Sequence, residues 1–452
     1  MFFPKLRSAV GCLFTSLTLL ISLTAVTRLI FAVVESKKIP ADQLSRAVFE
    51  TETGSIARSL AQGQGFRSPY ERESGPTAIL PPVYPLIVAG IFKISGIQSA
   101  ASFYILVALN IAFAALTCIP IYKIGLRLGG LSTAAIATWL WALFPNGIFI
   151  PFEWIWETSL AALLAATLLW ATLWVSESSN LRDFLLYGAL WSLALMTNPA
   201  LGAALAIFLI WITVRSKIRF PKNLVRPTLV LTIALLGCVP WTIRNLAVFD
   251  RFIPFRSGFG FELYIGNNEN YSPPLHYPPR VSFEGEQLRY LRMGEIPFMD
   301  EEKRKAVGFI RSYPAIFARL TLNRAVQFWI GLTRPTVAWR TYPSAADHLI
   351  LLSNLLAPLL AAAGAVLLIV KRHPLTTPLL ALPLAYPAVY YITHASLRYR
   401  HPVDPILFLL AAWALRKIGS AFRGGPVAPP GKHQATASDV SQMPDDASIE
   451  LN

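Results

Sequence analysis

The chain has 452 residues, of which 54% are hydrophobic and 14% are charged, and its mean hydropathy is +0.50. Soluble globular domains carry about a quarter charged residues, so this composition excludes an ordinary water-soluble protein. Apolar runs of about 18 residues or more recur along the chain, and about 20 helical residues cross the hydrocarbon core of a membrane. The sequence therefore predicts an all-α polytopic membrane protein.

The apolar runs predict ten transmembrane helices. Lys5 and Arg7 precede the first run, which is too long for a signal peptide and lacks a small-residue cleavage site, so we interpret it as a retained span. In chain order the predicted spans are residues 10–34, 101–122, 131–149, 157–176, 183–198, 200–214, 227–247, 348–370, 375–393 and 402–416. A shorter apolar run from Pro82 to Ile94 predicts an interfacial helix on the outer side.

The net charge of +15 agrees with this topology. Basic residues concentrate in cytoplasmic loops, and the basic clusters of this chain fall in short connections on one side of the ten spans. These clusters are Lys123/Arg127, Arg182, Arg215/Lys217/Arg219/Lys222/Arg226, Lys371/Arg372 and Arg416/Lys417/Arg423. We therefore expect a multi-pass protein of the cell inner (plasma) membrane with both termini in the cytoplasm. The partner of its basic residues is membrane lipid, and no nucleic acid is predicted.

The remaining polar sequence forms two large outer loops and one tail. The loops are predicted at about 35–100 and 248–347, and the second contains an amphipathic stretch from Ala315 to Leu332. Residues 420–452 are rich in Gly, Pro, Ser and Asp, which predicts a disordered cytoplasmic tail after a transmembrane domain of residues 1–419. The three cysteines lie inside apolar runs and predict neither a disulfide framework nor a thiolate metal site.

The first outer loop begins with two carboxylates, Glu50 and Glu52, before a short helical pattern. The pattern runs from Thr53 to Gln62, and Gly63 suits the position just after a helix end. A carboxylate at a helix start is stabilised by the helix dipole, which is one explanation of Glu52. The other is a general base at the membrane surface, with a pKa raised by its apolar surroundings.

Several short motifs follow one another in a fixed order. They are Glu52, Ile56-Ala57, Ser59-Leu60, Gly63, Gly65-Phe66, Gly75-Pro76-Thr77-Ala78 and Pro81-Pro82-Val83-Tyr84-Pro85, then Pro240-Trp241, Arg244-Asn245 and Gly266-Asn267, and finally Arg398-Tyr399-Arg400-His401-Pro402. This order resembles the GT-C membrane glycosyltransferases, in particular the family 39-like bacterial proteins related to protein O-mannosyltransferases and the lipid A aminoarabinose transferase. The resemblance implies a GT-C-like helical bundle, and it covers both outer loops and most spans but not the tail.

The resemblance also implies an activity. Members of the family move a sugar from a polyprenyl-phosphate-linked donor, and we expect an inverting-type transfer to a glycan, lipid or protein acceptor at the outer face. A first-loop carboxylate, usually Asp, is their general base. Its spacing to Ile56-Ala57 selects Glu52, and Glu50 is the alternative because the spacing in better-known members is longer. The Asp-Glu pair common in the family is absent here. Glu157, at the start of another outer span, is a further site residue by the same resemblance, with helix-dipole complementation as the alternative.

Displacing a phosphate from an anomeric carbon requires cations or N–H donors where negative charge develops. Arg398, Arg400 and His401 cluster at the outer end of the last span, and Arg244 lies at another outer span end. Arginine forks suit phosphate geometry, and snorkelling to lipid headgroups is the alternative. The aromatic candidates for a sugar or lipid surface are Tyr84, Trp154 and Trp156, and Tyr399, within the basic cluster, is a further substrate-binding candidate. The interfacial aromatic belt is the alternative explanation for them.

Other features separate the remaining classes of function. The sequence contains neither a Walker-type P-loop nor a convincing G-x-G-x-x-G helix start, so cytoplasmic nucleotide binding is not predicted. His276, His394 and His401 lack the spacing of a metal site, so no cofactor is predicted, and the divalent metal that some members use stays an open alternative. Candidate acceptor contacts in the second loop are His276, Glu284, Tyr290 and Glu295. The alternative functions are a transporter or flippase of a lipid-linked sugar, or a metal-independent lipid-linked glycan ligase or polymerase.

Overall fold

The computed structural model of the chain describes residues 14–39, 49, 51–70, 72–153, 155–216, 222–269, 284–331 and 345–422. Within these ranges the regular structure is helical, apart from one isolated β-bridge between Arg67 and Pro76. The predicted all-α fold class is thereby confirmed. The predicted features outside the described residues are Lys5, Arg7, Glu50, Trp154, His276 and the tail from residue 423 onward.

Helices lie at every predicted span and at both predicted surface helices. In the first half of the chain they are α1 Leu17–Ser36, α2 Glu52–Ala61, α3 Val83–Ser95, α4 Ala100–Leu116, α5 Cys118–Gly129, α6 Leu131–Leu143, α7 Pro145–Glu153, α8 Thr158–Val175, α9 Leu181–Leu195, α10 Leu205–Arg215, α11 Val225–Leu236 and α12 Val239–Phe249. In the second half they are α13 Phe259–Gly266, α14 Glu284–Met293, α15 Glu295–Ser312, α16 Pro314–Ile330, α17 Ala345–Val370, α18 Thr376–Ala385, α19 Ala388–Ile392, α20 Leu397–Arg400 and α21 Asp404–Phe422. Short 3₁₀ helices cover Pro199–Ala204, Lys222–Leu224 and His401–Val403.

Four of the described helical segments are long and apolar enough to cross a membrane. They are α1, the Ala100–Gly129 segment of α4 and α5, α8, and His348–Val370 within α17. Two bent pairs, α6 with α7 at 51° and α11 with α12 at 40°, raise the number to six if each pair is one span. The chain is therefore a multi-pass membrane protein, while the number of ten spans stays a prediction. Proline explains the first bend, because Phe144 precedes Pro145 and takes the extended conformation that ends α6.

Helix α8 is the most buried of these spans, because 78% of its 18 residues are buried inside the protein. Its alanines Ala161, Ala162, Ala165 and Ala166 are fully buried. Small side chains let helices approach closely in a membrane, where no hydrophobic effect drives them together. Neighbouring helices thus fix α8 firmly, together with Glu157, which occupies its N-terminal cap position.

One buried arginine holds α1 to the bundle. Only 22% of the most apolar 18-residue stretch of α1 is buried, yet Arg28 is 1% exposed. Its guanidinium donates hydrogen bonds to the carbonyl oxygens of Trp141 and Ala142, each at 3.1 Å. These carbonyls belong to the last turn of α6, where Pro145 prevents the helix from continuing. Arg28 therefore supplies the donors that α6 lacks.

A single buried carboxylate joins the two segments that the sequence analysis predicts as outer loops. Glu295, the first residue of α15, accepts hydrogen bonds from the Ala78 backbone N–H at 2.7 Å, the Ser257 hydroxyl at 2.6 Å and the Tyr290 hydroxyl at 2.8 Å. The Thr77 hydroxyl donates to the same carboxylate. Hydrogen bonds to an ionised group are roughly twice as strong as neutral ones. In this fold Glu295 and Tyr290 thus hold the first loop against the second.

Candidate active site

Glu52 is the first residue of α2, at the place where the helical pattern of the sequence begins. Thr51 caps the helix, because its side-chain oxygen accepts a hydrogen bond from the Gly54 N–H at 3.2 Å. Gly63 follows the end of α2 with a φ of 76°, the left-handed conformation expected of a glycine after a helix. A side chain at Gly54 would lie 2.9 Å from the carbonyl carbon of Phe49, so the glycine lets the entering chain pass close to the helix.

The Glu52 carboxylate belongs to a cluster of partly buried charges. Burial raises the pKa of Glu52 above its ordinary value, and the negative charge of Glu262 raises it further. A backbone hydrogen bond, Arg398 and Arg256 lower this pKa without outweighing burial. The Tyr70 hydroxyl is buried near Glu52 with no hydrogen-bond partner among the described residues, and burial followed by the Glu52 charge raises the pKa of Tyr70. A raised pKa makes a carboxylate a stronger base, which favours a general-base role.

A small, partly open cavity lies beside this cluster. Its lining residues are Trp156, Glu157, Thr158, Asn198, Tyr386, Arg398, Tyr399 and Pro402. The Arg398 guanidinium lies 4.1 Å from the centre of the Trp156 ring and donates a hydrogen bond to the Tyr399 hydroxyl at 3.0 Å. Arginine stacked on tryptophan keeps its charge while its plane is held in place. The cavity therefore combines an oriented cation with aromatic walls.

Glu157 brings a second carboxylate to the cavity. Its backbone carbonyl accepts the first hydrogen bond of α8, from the Ala161 N–H at 2.7 Å. Burial raises the pKa of Glu157, against the positive charge of Arg398. Arg398 in turn interacts electrostatically with both Glu157 and Glu52. Of the predicted site residues, the structure thus brings Glu52, Glu157, Arg398 and Tyr399 together.

Three residues that the sequence analysis did not assign to this site extend it. Arg256 donates a hydrogen bond to Glu262 at 2.6 Å, and the other oxygen of Glu262 lies 3.2 Å from Nδ1 of His394. Nε2 of His394 lies 2.8 Å from the Tyr399 hydroxyl. The sequence did contain a signal, because Arg256 and Glu262 are isolated opposite charges, six residues apart, in an aromatic and apolar stretch of the second loop.

The carboxylates of the cluster differ in the direction of their pKa shifts. Burial raises the pKa of Glu262, but the positive charge of Arg256 and its hydrogen bond outweigh burial, so the pKa of Glu262 is lowered. Glu52 and Glu157 have raised pKa values, and environments that separate pKa values in this way commonly assign acid and base roles. Within the described part of the chain, no group of three or more His, Cys, Asp or Glu side chains is placed to hold a metal ion.

Two of the predicted phosphate-binding residues, Arg400 and His401, do not line the cavity. Arg400 is 0% exposed, and its guanidinium donates to the Asp404 carboxylate and to the Asn354 side-chain oxygen, both at 2.8 Å. His401 is also 0% exposed and stacks on Trp141, with ring centres 5.0 Å apart. Because α20 is a single helical turn, residues 398 and 400 project about 200° apart. Arg400 and His401 therefore pack inside the bundle behind the site.

Arg244 and Tyr84 are two further predicted site residues. Both form hydrogen bonds with other residues of the fold. Arg244 donates to the carbonyl oxygens of Phe66 and Thr77, each at 2.7 Å, and so holds together two segments of the first predicted outer loop. The Tyr84 hydroxyl donates to the Asn110 side chain at 3.0 Å, and Tyr84 is buried. Both side chains are therefore engaged in contacts within the fold and not in the cavity lining.

The second outer loop meets the segment that carries His394 at one glycine. Helix α13 ends at Gly266, where an added Cβ would overlap the Thr393 carbonyl group and lie 2.7 Å from its carbon atom. Arg324 joins the two segments, because it donates to the carbonyl oxygens of Gly266 at 2.6 Å and of Tyr391 at 2.7 Å. This close approach sets the distance between α13, which carries Glu262, and His394.

Comparison with solved structures finds likeness at low sequence identity. The oligosaccharyltransferase of Archaeoglobus fulgidus in its apo form is 11% identical, with a TM-score of 0.52, and the likeness covers 90% of this chain and 51% of that chain. The same protein with zinc and sulfate is 12% identical, with a TM-score of 0.47, covering 82% and 45%. ArnT from Cupriavidus metallidurans bound to undecaprenyl phosphate is 13% identical, with a TM-score of 0.39, covering 83% and 74%.

No protein-family model matches the chain, and no curated protein matches its sequence. The chain spans about half the length of the archaeal structure, 51% of that chain. At 11% identity this likeness concerns the fold, and it confirms the fold that the order of the sequence motifs predicts.

Proposed function

We propose that this chain, whose fold is that of the GT-C membrane glycosyltransferases, moves a sugar from a polyprenyl-phosphate-linked donor to an acceptor at the outer face of the membrane. The proposal is supported chiefly by one observation. Glu52 and Glu157 are electrostatically coupled to Arg398, and Arg398 and Glu157 line one aromatic-walled cavity. Neighbouring side chains can then activate the acceptor, bind the phosphate and bind the sugar.

Glu52 is the proposed general base. It takes the proton from the acceptor hydroxyl, and the acceptor oxygen attacks the anomeric carbon on the face opposite the phosphate. The bond between the anomeric carbon and the phosphate oxygen breaks, and its electron pair leaves with the polyprenyl phosphate, so the configuration inverts. Proton transfer of this kind contributes about 10²- to 10⁴-fold in rate.

Arg398 is the proposed phosphate ligand. Its positive charge stabilises the negative charge that develops on the leaving phosphate. The Trp156 ring and the Tyr399 hydroxyl hold the plane of the guanidinium before the substrate binds. Aromatic faces bind the apolar faces of sugars, and Trp156, Tyr386 and Tyr399 supply them in the cavity lining. Glu157 lies on the same wall, where a carboxylate accepts hydrogen bonds from sugar hydroxyls.

The test is a donor-release assay on Glu52→Gln. Membranes containing the chain are incubated with a panel of undecaprenyl-phosphate-linked pentoses and hexoses, and released undecaprenyl phosphate is measured by mass spectrometry. We expect Glu52→Gln to release at least 100-fold less than the wild type, in line with the loss of a general base. Glu73→Gln is the matched control, because Glu73 is an exposed carboxylate of the same loop.

The outcomes separate the two candidate bases. Loss of release in Glu50→Gln with full release in Glu52→Gln would move the base to Glu50. Full release in both variants would refute base catalysis by this loop. Equal melting temperatures of wild type and Glu52→Gln in detergent show that a loss of release is not a loss of folding.

One observation favours a second function, transport of the lipid-linked sugar. Arg28 and the Arg400–Asp404 pair are buried charges in the bundle, and two helix pairs are bent, features that transporters share. Arg28 and Arg400 are engaged by the neighbouring helices, which favours a structural role. A fluorescent undecaprenyl-phosphate sugar in proteoliposomes distinguishes the two, because a flippase makes it accessible to external dithionite faster than in protein-free vesicles.

A further inference from the structure

We infer that His394 is a positioning residue, which fixes the Tyr399 hydroxyl and through it the guanidinium of Arg398 at the cavity. The inference rests on the proposed function for what Arg398 binds. The contacts themselves are independent of any substrate. They run from Arg256 through Glu262, His394 and Tyr399 to Arg398, and they join the second outer loop to the segment before the last helix.

The contacts from Arg256 to Arg398 form an unbroken series. Arg256 donates to one oxygen of Glu262 at 2.6 Å, and the other oxygen lies 3.2 Å from Nδ1 of His394. This second contact is electrostatic, since its angles do not meet those of a hydrogen bond. Nε2 of His394 lies 2.8 Å from the Tyr399 hydroxyl, which accepts a hydrogen bond from Arg398 at 3.0 Å.

The chemistry of the groups fixes the direction of these hydrogen bonds. An arginine guanidinium only donates, so the Tyr399 oxygen is the acceptor for Arg398. The hydroxyl proton of Tyr399 is then directed to Nε2 of His394, which accepts it when the imidazole is neutral. The proton of the neutral ring lies on Nδ1 and faces Glu262, which orients the ring as carboxylates commonly orient histidine.

The charges around His394 favour this neutral form. Burial lowers the pKa of His394, and Glu262 opposes this effect. The positive charges of Arg398, Arg256 and Arg324 reinforce the effect of burial. A neutral ring can accept from Tyr399, whereas a protonated ring would present a donor to the tyrosine and remove the partner of its hydroxyl proton.

Tyr399 is held on its other side as well. Its ring stacks on Tyr390 with ring centres 4.7 Å apart, and the Tyr390 hydroxyl lies 3.0 Å from that of Tyr386. Stacking fixes the plane of the Tyr399 ring but leaves its hydroxyl proton free to rotate about the C–O bond. His394 supplies the missing constraint, and Arg398 therefore meets an acceptor of fixed direction.

The experiment is a double-mutant cycle with His394→Leu and Tyr399→Phe. Binding of undecaprenyl phosphate to the detergent-solubilised full chain is measured together with donor release. We expect each single variant to weaken binding on the order of tenfold, because each one loosens or removes the Tyr399 hydroxyl that accepts from the Arg398 guanidinium. The double variant should bind no more weakly than either single variant, because both remove one interaction. His394→Gln, whose amide oxygen can replace Nε2 as acceptor, should restore most of the binding.

A second readout needs no substrate. Phenylglyoxal modifies arginine guanidinium groups, and mass spectrometry maps the modification to Arg398. We expect several-fold faster modification of Arg398 in His394→Leu and in Tyr399→Phe, with wild-type rates in His394→Gln. Unchanged Arg398 reactivity in His394→Leu, or additive losses of binding in the double variant, would overturn the inference. A wild-type chain that neither binds undecaprenyl phosphate nor releases it overturns the proposed function, and the reactivity of Arg398 still decides the role of His394.

Discussion

Replacing Gly266 by alanine disturbs the site from outside the cavity. The new Cβ would overlap the Thr393 carbonyl group, 2.7 Å from its carbon and 2.9 Å from Nη1 of Arg324, whereas ordinary contacts begin at 3.4 Å. The segment that continues into His394 must therefore retreat by more than about 1 Å, because the Thr393 oxygen overlaps the added Cβ more severely than the carbon does. The hydrogen bond between His394 and Tyr399 is 2.8 Å long, and a shift of that size away from Tyr399 breaks it.

Two effects of known size follow from this displacement. Overpacking of a well-packed contact costs about 1–3 kcal/mol of folding free energy. Misplacing a substrate-binding group by about 1 Å costs on the order of 100-fold in rate. We therefore expect Gly266→Ala to lower kcat/KM for donor release on the order of 100-fold, together with a moderate fall in melting temperature.

The assay compares donor release and thermal unfolding in detergent for Gly266→Ala and Gly308→Ala. Gly308 lies in α15 of the same outer loop, and a Cβ there meets nothing within 4 Å. Alanine at such a helical position is neutral or stabilises by up to about 1 kcal/mol. Wild-type release by Gly266→Ala would show that the contact between α13 and the Thr393 carbonyl does not position the site.

Two further predictions concern charge. Because Arg256 lowers the pKa of Glu52, Arg256→Met should raise that pKa and move the acid limb of the plot of kcat/KM against pH to higher pH. Glu262 raises the pKa of Glu52, so Glu262→Gln should move the acid limb to lower pH. An acid limb at the same pH in the wild type and both variants would contradict Glu52 as the titrating base. Glu295→Ala removes the acceptor of a buried backbone N–H and three hydroxyls, so it should cost about 3–5 kcal/mol of unfolding free energy. The part-exposed Glu301→Ala should cost less than about 1 kcal/mol, and chemical denaturation in detergent compares the two.

The helices were largely predictable from the sequence, because each apolar run of sufficient length contains one. The breaks were less so. The run over residues 131–149 is divided at Pro145, and the run over 375–393 is divided near Pro387, where α18 ends and α19 begins. A proline break inside a membrane is tolerated where neighbouring side chains satisfy the freed carbonyls, as Arg28 does for α6.

The candidate site was predictable in part. Glu52 is selected by its spacing to Ile56-Ala57, as the family resemblance implies, and Arg398 by its place in a basic cluster; both are local features of the sequence. Arg400 was grouped with Arg398 on sequence distance alone, and the single helical turn of α20 separates them onto opposite sides. The pairing of Glu262 with His394 joins residues more than a hundred positions apart, so it depends on how the loops pack and has no local signature.

The Arg28 contact has a consequence for how the chain is made. An arginine in the middle of a membrane-spanning helix costs about 2.5–3.5 kcal/mol to insert. Its acceptors, the carbonyls of Trp141 and Ala142, lie more than a hundred residues further along and leave the ribosome after α1 has reached the membrane. During synthesis the Arg28 charge in α1 therefore lacks its α6 acceptors until α6 has been inserted. The final position of α1 is reached late in biogenesis, although α1 is the first of these spans to be translated.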